Sequence, residues 1–223
     1  MTENLVSGAG GVTENLVSDV GGGGASDRSA ESPRLVRLMR RLEETPVLDR
    51  LAVPVEMVSR PLANGRLGAV LRGESAGHAL HPALVGLPLG CWTSAIVLDV
   101  VGHSQDHAAA ELLLEVGLGA AVPAVATGLV EWRATGHAEG RIGALHAALN
   151  SLGVAAFATS LALRRGGWHR AGITTAMAGM AVVGGAGYLG GHLSMARKVG
   201  FRAESFAEDE IGPRLERPAP SSP

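Results

Sequence analysis

A chain of 223 residues with a formal net charge of -2 and no interleaving of basic and aromatic residues carries no nucleic-acid footprint. A single cysteine, Cys91, excludes an internal disulfide and any multi-cysteine metal or iron–sulfur site, and within an apolar run it reads as a small hydrophobe. Aromatic residues make up only 3%, yet AVILMFWYC reach 46%, and the Ala, Val, Leu and Gly come in long blocks, the pattern of membrane helices rather than of a soluble core.

Residues 1–31 open with "TENLVSGAGGV" followed at once by "TENLVSDVGGG", a local duplication, and continue in Gly and Ser without apolar periodicity. They read as a disordered tail and not as a signal peptide. Structure is expected from "SPRLVRLMRRLEE", with Ser32 as N-cap and Pro33 at the first helical position. Leu35, Leu38, Met39 and Leu42 fall at helical spacing, and Arg34, Arg37, Arg40 and Arg41 take most of the remaining circumference. Two placements suit such a basic amphipathic helix: on an anionic membrane surface, or docked on the rest of the protein. "LDRLAVPVEMVSRPL" and "GRLGAVLRGESAG" continue as broken helical pieces, too short and too charged to span, so residues 32–76 form a juxtamembrane segment.

A transmembrane domain is expected over residues 77–197, with a largely disordered tail over 198–223. Four apolar runs lie at 80–101, 108–132, 143–163 and 171–195. Each holds roughly 20 residues or more, enough to cross a hydrocarbon core about 30 Å thick. Buried soluble helices are the other reading, but four runs joined by short loops favour an all-α integral membrane four-helix bundle. Gly86 and Gly90 form a G-x-x-x-G, as do Gly187 and Gly191, with Gly117, Ala121, Gly179, Gly184 and Gly185 as further small positions. All are expected to let helix backbones approach closely, and Pro88 and Pro123 to kink the first two spans. The first loop, "GHSQDH", has no Lys or Arg, whereas the segment before the first span, the second loop and the tail are basic. This puts both termini in the cytoplasm, against the basic third loop, "RRGGWHR".

Histidine is costly at membrane depth, so its placement bears on function. With both termini inside, His81, His146 and His192 lie at the cytoplasmic ends of the first, third and fourth spans, and Glu131 closes the second on the same side. Positions 18 apart share a face of an ideal helix, about 27 Å apart along it. His81 and Asp99, His146 and Arg164, and Thr174 and His192 are all so related. The expectation is a polar layer near each surface, with Asp99 and Arg164 pairing in the outer one. In the inner layer His81, His146 and His192 are candidate ligands of haem iron or a transition metal, with His78 and Glu131 secondary. Hydrogen-bonded structural histidines and a proton or ion path are the other readings. Asp99, His103, His107, Glu111 and Glu115 recur every four residues, but the turn between spans falls within that stripe. No nucleophile elbow, phosphate loop or zinc-protease motif appears, and Ser94, Ser151 and Ser160 read as helix-packing residues.

"LDRLAVPVEMVSRPL", "GHALHPALVGLPLGCWTSAIVLD", "GLVEW", "HAALN" and "GYLGGHL" together resemble a family of bacterial four-span membrane proteins, a domain of unknown function. Its members occur alone, or joined to or near Rieske-type iron–sulfur domains. The resemblance covers about residues 48–201 and implies His78, His81, Pro82, Pro88, Asp99, His146 and His192 as signature positions. Glu131 stands where aspartate is more frequent, and Ala79 where proline is. The family transfers fold and membrane location but no activity, and a Rieske cluster would have to belong to a partner, because this chain lacks the two Cys–His pairs one needs. The reading is an uncharacterised protein of the bacterial cytoplasmic membrane, in contact with lipid and permitting homo-oligomers. It is either an accessory or electron-carrying module with an inner histidine site, served by a Rieske-type or other redox protein, or a structural anchor without cofactor. A small transporter is a third reading, against which no inverted repeat is visible.

Overall fold

The computed structural model describes residues 32–204; the expected tails over 1–31 and beyond 204 lie outside the described residues. The chain divides into two units, residues 1–41 and 42–223. In the first, helix α1 (Arg34–Glu43, running on into the second unit) begins one residue after Pro33, where the Arg37 N–H donates to the Pro33 carbonyl at 3.1 Å. Leu35 and Leu38 are exposed beside the arginines of this helix.

The second unit opens with two short helices, α2 (Asp49–Leu62, with Pro54 and Pro61 inside it) and α3 (Gly65–Arg72). Asp49 stands in the first turn of α2, where the helix dipole favours a carboxylate. Four long helices follow: α4 (His81–Val101), α5 (His107–Trp132), α6 (His137–Arg165) and α7 (His169–Gly191), the last running into a wider π turn at His192–Ala196. All four are long and apolar enough to cross a membrane. α6 is the longest because it starts at His137, ahead of the apolar run, and carries the polar turn with Arg141 into the helix.

α4 packs chiefly on α5, and α6 on α7, so the bundle consists of two helical hairpins. Between them lies a buried core that includes Trp92, Ala95, Leu114, Phe157 and Ala176. The rings of Trp92 and Phe157 stack with centroids 4.2 Å apart and planes 17° from parallel. Outward positions on all four helices, such as Leu87, Val122, Leu152 and Met177, leave apolar side chains exposed, as a lipid-facing surface requires.

The glycines do not all serve packing. A Cβ at Gly86, Gly90, Gly184, Gly185, Gly187 or Gly191 would meet nothing within 4 Å, so both G-x-x-x-G motifs face away from the bundle, contrary to the expectation of close helix contact there. Close approach occurs instead at Gly117 under the Trp92 indole, at Gly153 against Val183, and at Gly179 against Ala156. The motif spacing identifies one helical face but not which way that face turns.

The end of the unit folds back to its beginning. The Ala79 N–H donates to the Phe201 carbonyl and the Ala203 N–H to the Gly77 carbonyl, both at 2.9 Å, and His78 and Arg202 form an antiparallel bridge. Lys198, in left-handed backbone at φ 57°, turns the chain into this strap.

At the far end of the bundle Arg164 grips Asp99 with both terminal nitrogens, at 2.8 and 2.5 Å, and neither side chain is exposed to solvent. Arg164 Nε also donates to Ser160 Oγ at 3.2 Å, and Ser160 in turn donates to the Gly172 carbonyl at 2.6 Å. Removing either partner strands a charge in an apolar interior. Asp99→Ala or Arg164→Ala is therefore expected to cost about 3–5 kcal/mol, read as a lowered melting temperature in detergent. The exchanged double variant, Asp99→Arg with Arg164→Asp, is expected to recover at least half of that loss.

Candidate functional site: a paired-histidine layer

His81 is the first residue of α4 and His146 lies in the third turn of α6. Their rings stand edge to face, centroids 6.2 Å apart and planes at 85°. The two are anchored alike. His81 Nδ1 lies 2.8 Å from the Ala124 carbonyl of α5, and His146 Nδ1 lies 2.8 Å from the Ala186 carbonyl of α7. A carbonyl only accepts, so each Nδ1 carries a proton, and in a neutral ring Nε2 then keeps its lone pair. Asn150, one turn along α6, places its side-chain nitrogen 3.1 Å from His146 Nε2 and also donates to the His146 carbonyl.

Glycine makes room for both rings. A Cβ at Gly128 of α5 would sit 2.8 Å from His81 Cε1, and one at Gly190 of α7 would sit 2.9 Å from His146 Cε1. Glu131 meets His81 through the backbone: the His81 N–H, one of the orphan donors at the start of α4, donates to Glu131 Oε1 at 3.2 Å. Its carboxylate thus closes the end of α4 and stands beside the pair.

The structure does not bring His192 or His78 into this arrangement. His192 Nε2 lies 2.8 Å from Glu43 Oε1, and Glu43 is also held by Arg197, whose Nε donates at 2.6 Å. Arg197 holds the Glu43 carboxyl below its ordinary value of 4.5, with His192 adding to the effect against the opposing pull of burial. His78 is exposed, with Nδ1 3.0 Å from the Ala79 carbonyl, in the strap that Phe201 closes. Thr174, on the expected His192 stripe, is exposed and bonds carbonyls of its own helix. Asp99 and Arg164 do pair, as their spacing from His81 and His146 predicts.

Sequence reasoning missed the clamps below the layer, which lie far apart in the chain. Arg141 forks onto both Asp49 oxygens at 2.7 and 2.9 Å and donates to the Glu43 carbonyl at 2.9 Å, while Arg133 reaches Glu56 at 2.6 Å. The Arg141 guanidinium lowers the Asp49 carboxyl. A cleft of about 300 Å³ opens beside Glu131, bounded by Arg72, Arg197 and Phe201. Among the described residues no three His, Cys, Asp or Glu side chains already stand as a metal-ligand set. The inner layer therefore offers two imidazole nitrogens and a neighbouring carboxylate.

The profile of a family described as predicted membrane protein (DUF2231) matches residues 77–203, more than half of the chain and the whole of the four-helix bundle with its strap. The chain belongs to this family. It is a multi-pass membrane protein whose function the family description leaves open. No curated protein and no solved structure matches the chain.

Two outcomes follow from this geometry. Gly128→Ala and Gly190→Ala each overpack an imidazole and are expected to lower stability by about 1–3 kcal/mol, measured by thermal unfolding in detergent. For Glu43, a lowered pKa means stabilisation that is fully present above the ordinary value and lost as pH falls through the folded one. Glu43→Gln should thus melt below the wild type at about pH 7, and the gap should close as the medium is taken progressively below the ordinary carboxyl value.

Proposed function

We propose that this DUF2231 protein is an electron-carrying module of the bacterial cytoplasmic membrane, holding one metal centre between His81 and His146. The observation that supports it is the shared anchoring of the two rings. Both donate Nδ1–H to a main-chain carbonyl of the next helix, which fixes the tautomer and leaves Nε2 basic. Those two Nε2 atoms, on rings whose centroids lie 6.2 Å apart, would hold the ion. A haem iron or a free transition-metal ion would use the same nitrogens. Asn150 would release His146 Nε2 to the metal, and Glu131 would supply negative charge beside it.

In this reading His192 is not a ligand, because Glu43 engages its Nε2; it anchors the end of α7. The arginine distribution supports cytoplasmic termini, which puts the His81–His146 layer near the cytoplasm, within reach of a separate redox protein. A second reading has its own support. Each ring is seated against a glycine and a carbonyl, as a structural hydrogen-bond layer would be, and this fits a cofactor-free anchor.

Spectra and elemental analysis of the purified, untagged protein separate the two. The electron-carrying reading expects a haem absorption band, or a transition-metal content that falls by one per chain in His81→Ala and in His146→Ala and is kept in His192→Ala. A colourless, metal-free, folded protein would leave the anchor as the function.

A further inference from the structure

The contacts along the bundle repeat. His81 and His146 are 65 positions apart, as are Trp92 and Phe157, and Asp99 and Arg164. Each of these residues touches its own counterpart. On the second helix of each hairpin the offset is 62: Ala124 and Ala186 accept from the two histidines, and Gly128 and Gly190 make room for their rings. Contact between positional equivalents is the mark of a two-fold relation. The bundle is thus two parallel copies of one helical hairpin about an approximate axis along the helices, a parallel repeat and not an inverted one.

The same offset of 62 relates His107, which opens α5, to His169, which opens α7, and these two rings also meet, with centroids 3.7 Å apart and planes at 38°. They lie at the end of the bundle where α4 finishes, opposite the His81–His146 layer. His169 Nε2 is buried with no hydrogen-bond partner. Its Nδ1 lies 3.8 Å from Glu111 Oε1, one turn into α5, with both side chains about a quarter exposed. The turn at Ser104–Asp106 does cut Asp99 and His103 from the acidic stripe, but the second hairpin supplies another imidazole to what remains.

We infer that His107, His169 and Glu111 form a second metal centre, one that takes a divalent first-row transition-metal ion such as Zn²⁺ or Cu²⁺. The donor set suits such an ion: two imidazoles and one carboxylate. Neutral imidazole is the ligating form, and the Glu111 carboxylate offsets the repulsion of a cation by the two helix N-termini. The set closes only when the two rings part and turn, because they stack with centroids 3.7 Å apart. Metal–ligand bonds of about 2.0–2.2 Å bring donors to roughly 3.3 Å from one another and ring centroids to about 5–6 Å, so both rings swing edge-on to the ion and Glu111 follows. This inference stands on its own residues and holds whether or not His81 and His146 carry a metal.

The test is a titration of Zn²⁺ into the untagged full chain in detergent, followed by calorimetry, with Co²⁺ absorption as the report of ligand type. Saturable binding is expected in wild type and in the His81→Ala/His146→Ala variant. It should weaken by about tenfold or more in Glu111→Gln and be lost in His107→Ala/His169→Ala. Absence of saturable binding in the wild type, or unchanged affinity in His107→Ala/His169→Ala, overturns the inference. Loss of binding only in the His81/His146 variant would also overturn it, by placing the ion at the other end.

Discussion

In hydrocarbon a polar side chain has no water to turn to, so each one must find its partner inside the protein. That constraint organises this bundle. Asp99 and Arg164 neutralise each other across the two hairpins, with Ser160 taking the Nε–H of the guanidinium. His81 and His146 are each tied to a carbonyl of the following helix. Between these polar levels the contact is apolar, Trp92 stacked on Phe157. Small side chains let the helices approach, but the polar pairs select one rotation of each helix, because a turned helix would leave a charge or an imidazole facing lipid.

Much of this was legible in the sequence. The lengths of the apolar runs predict the four helices to within a few residues, because the thickness of a membrane sets that length. α6 departs furthest, beginning at His137, since hydropathy marks the apolar run and not the polar turn that leads into it. The spacing of 18 between His81 and Asp99, and between His146 and Arg164, places each pair on one face, and that face turns out to be the inner one. The glycine motifs misled because periodicity reveals a face without its direction: Gly86 and Gly90 lie outward, while glycines outside the motifs, such as Gly128 and Gly190, make the close approaches. Glu43 was not legible as the partner of His192, because 149 positions separate them and no local pattern links them.

The repeat was hidden for a different reason. Residues that face each other across it need not be identical: tryptophan answers phenylalanine, and an aspartate answers an arginine, although Ala124 and Ala186, and Gly128 and Gly190, are alike. A two-fold contact between identical charges would repel, so a fused pair of hairpins gains by making the two sides opposite at that point. Divergence at the axis is thus a physical advantage, and it erases the likeness by which a duplication is recognised. Histidine meets no such penalty: neutral imidazoles can face each other, and both pairs of facing histidines are alike.

The strap of residues 199–203 on residues 77–79 has a topological consequence. It sets the first and last residues of the helical domain side by side, where a short peptide could join them. Opening the chain instead between Trp132 and His137 would yield a permuted protein in which the second hairpin is made first. With the hairpins so nearly interchangeable, the order in which they leave the ribosome is not dictated by their final packing.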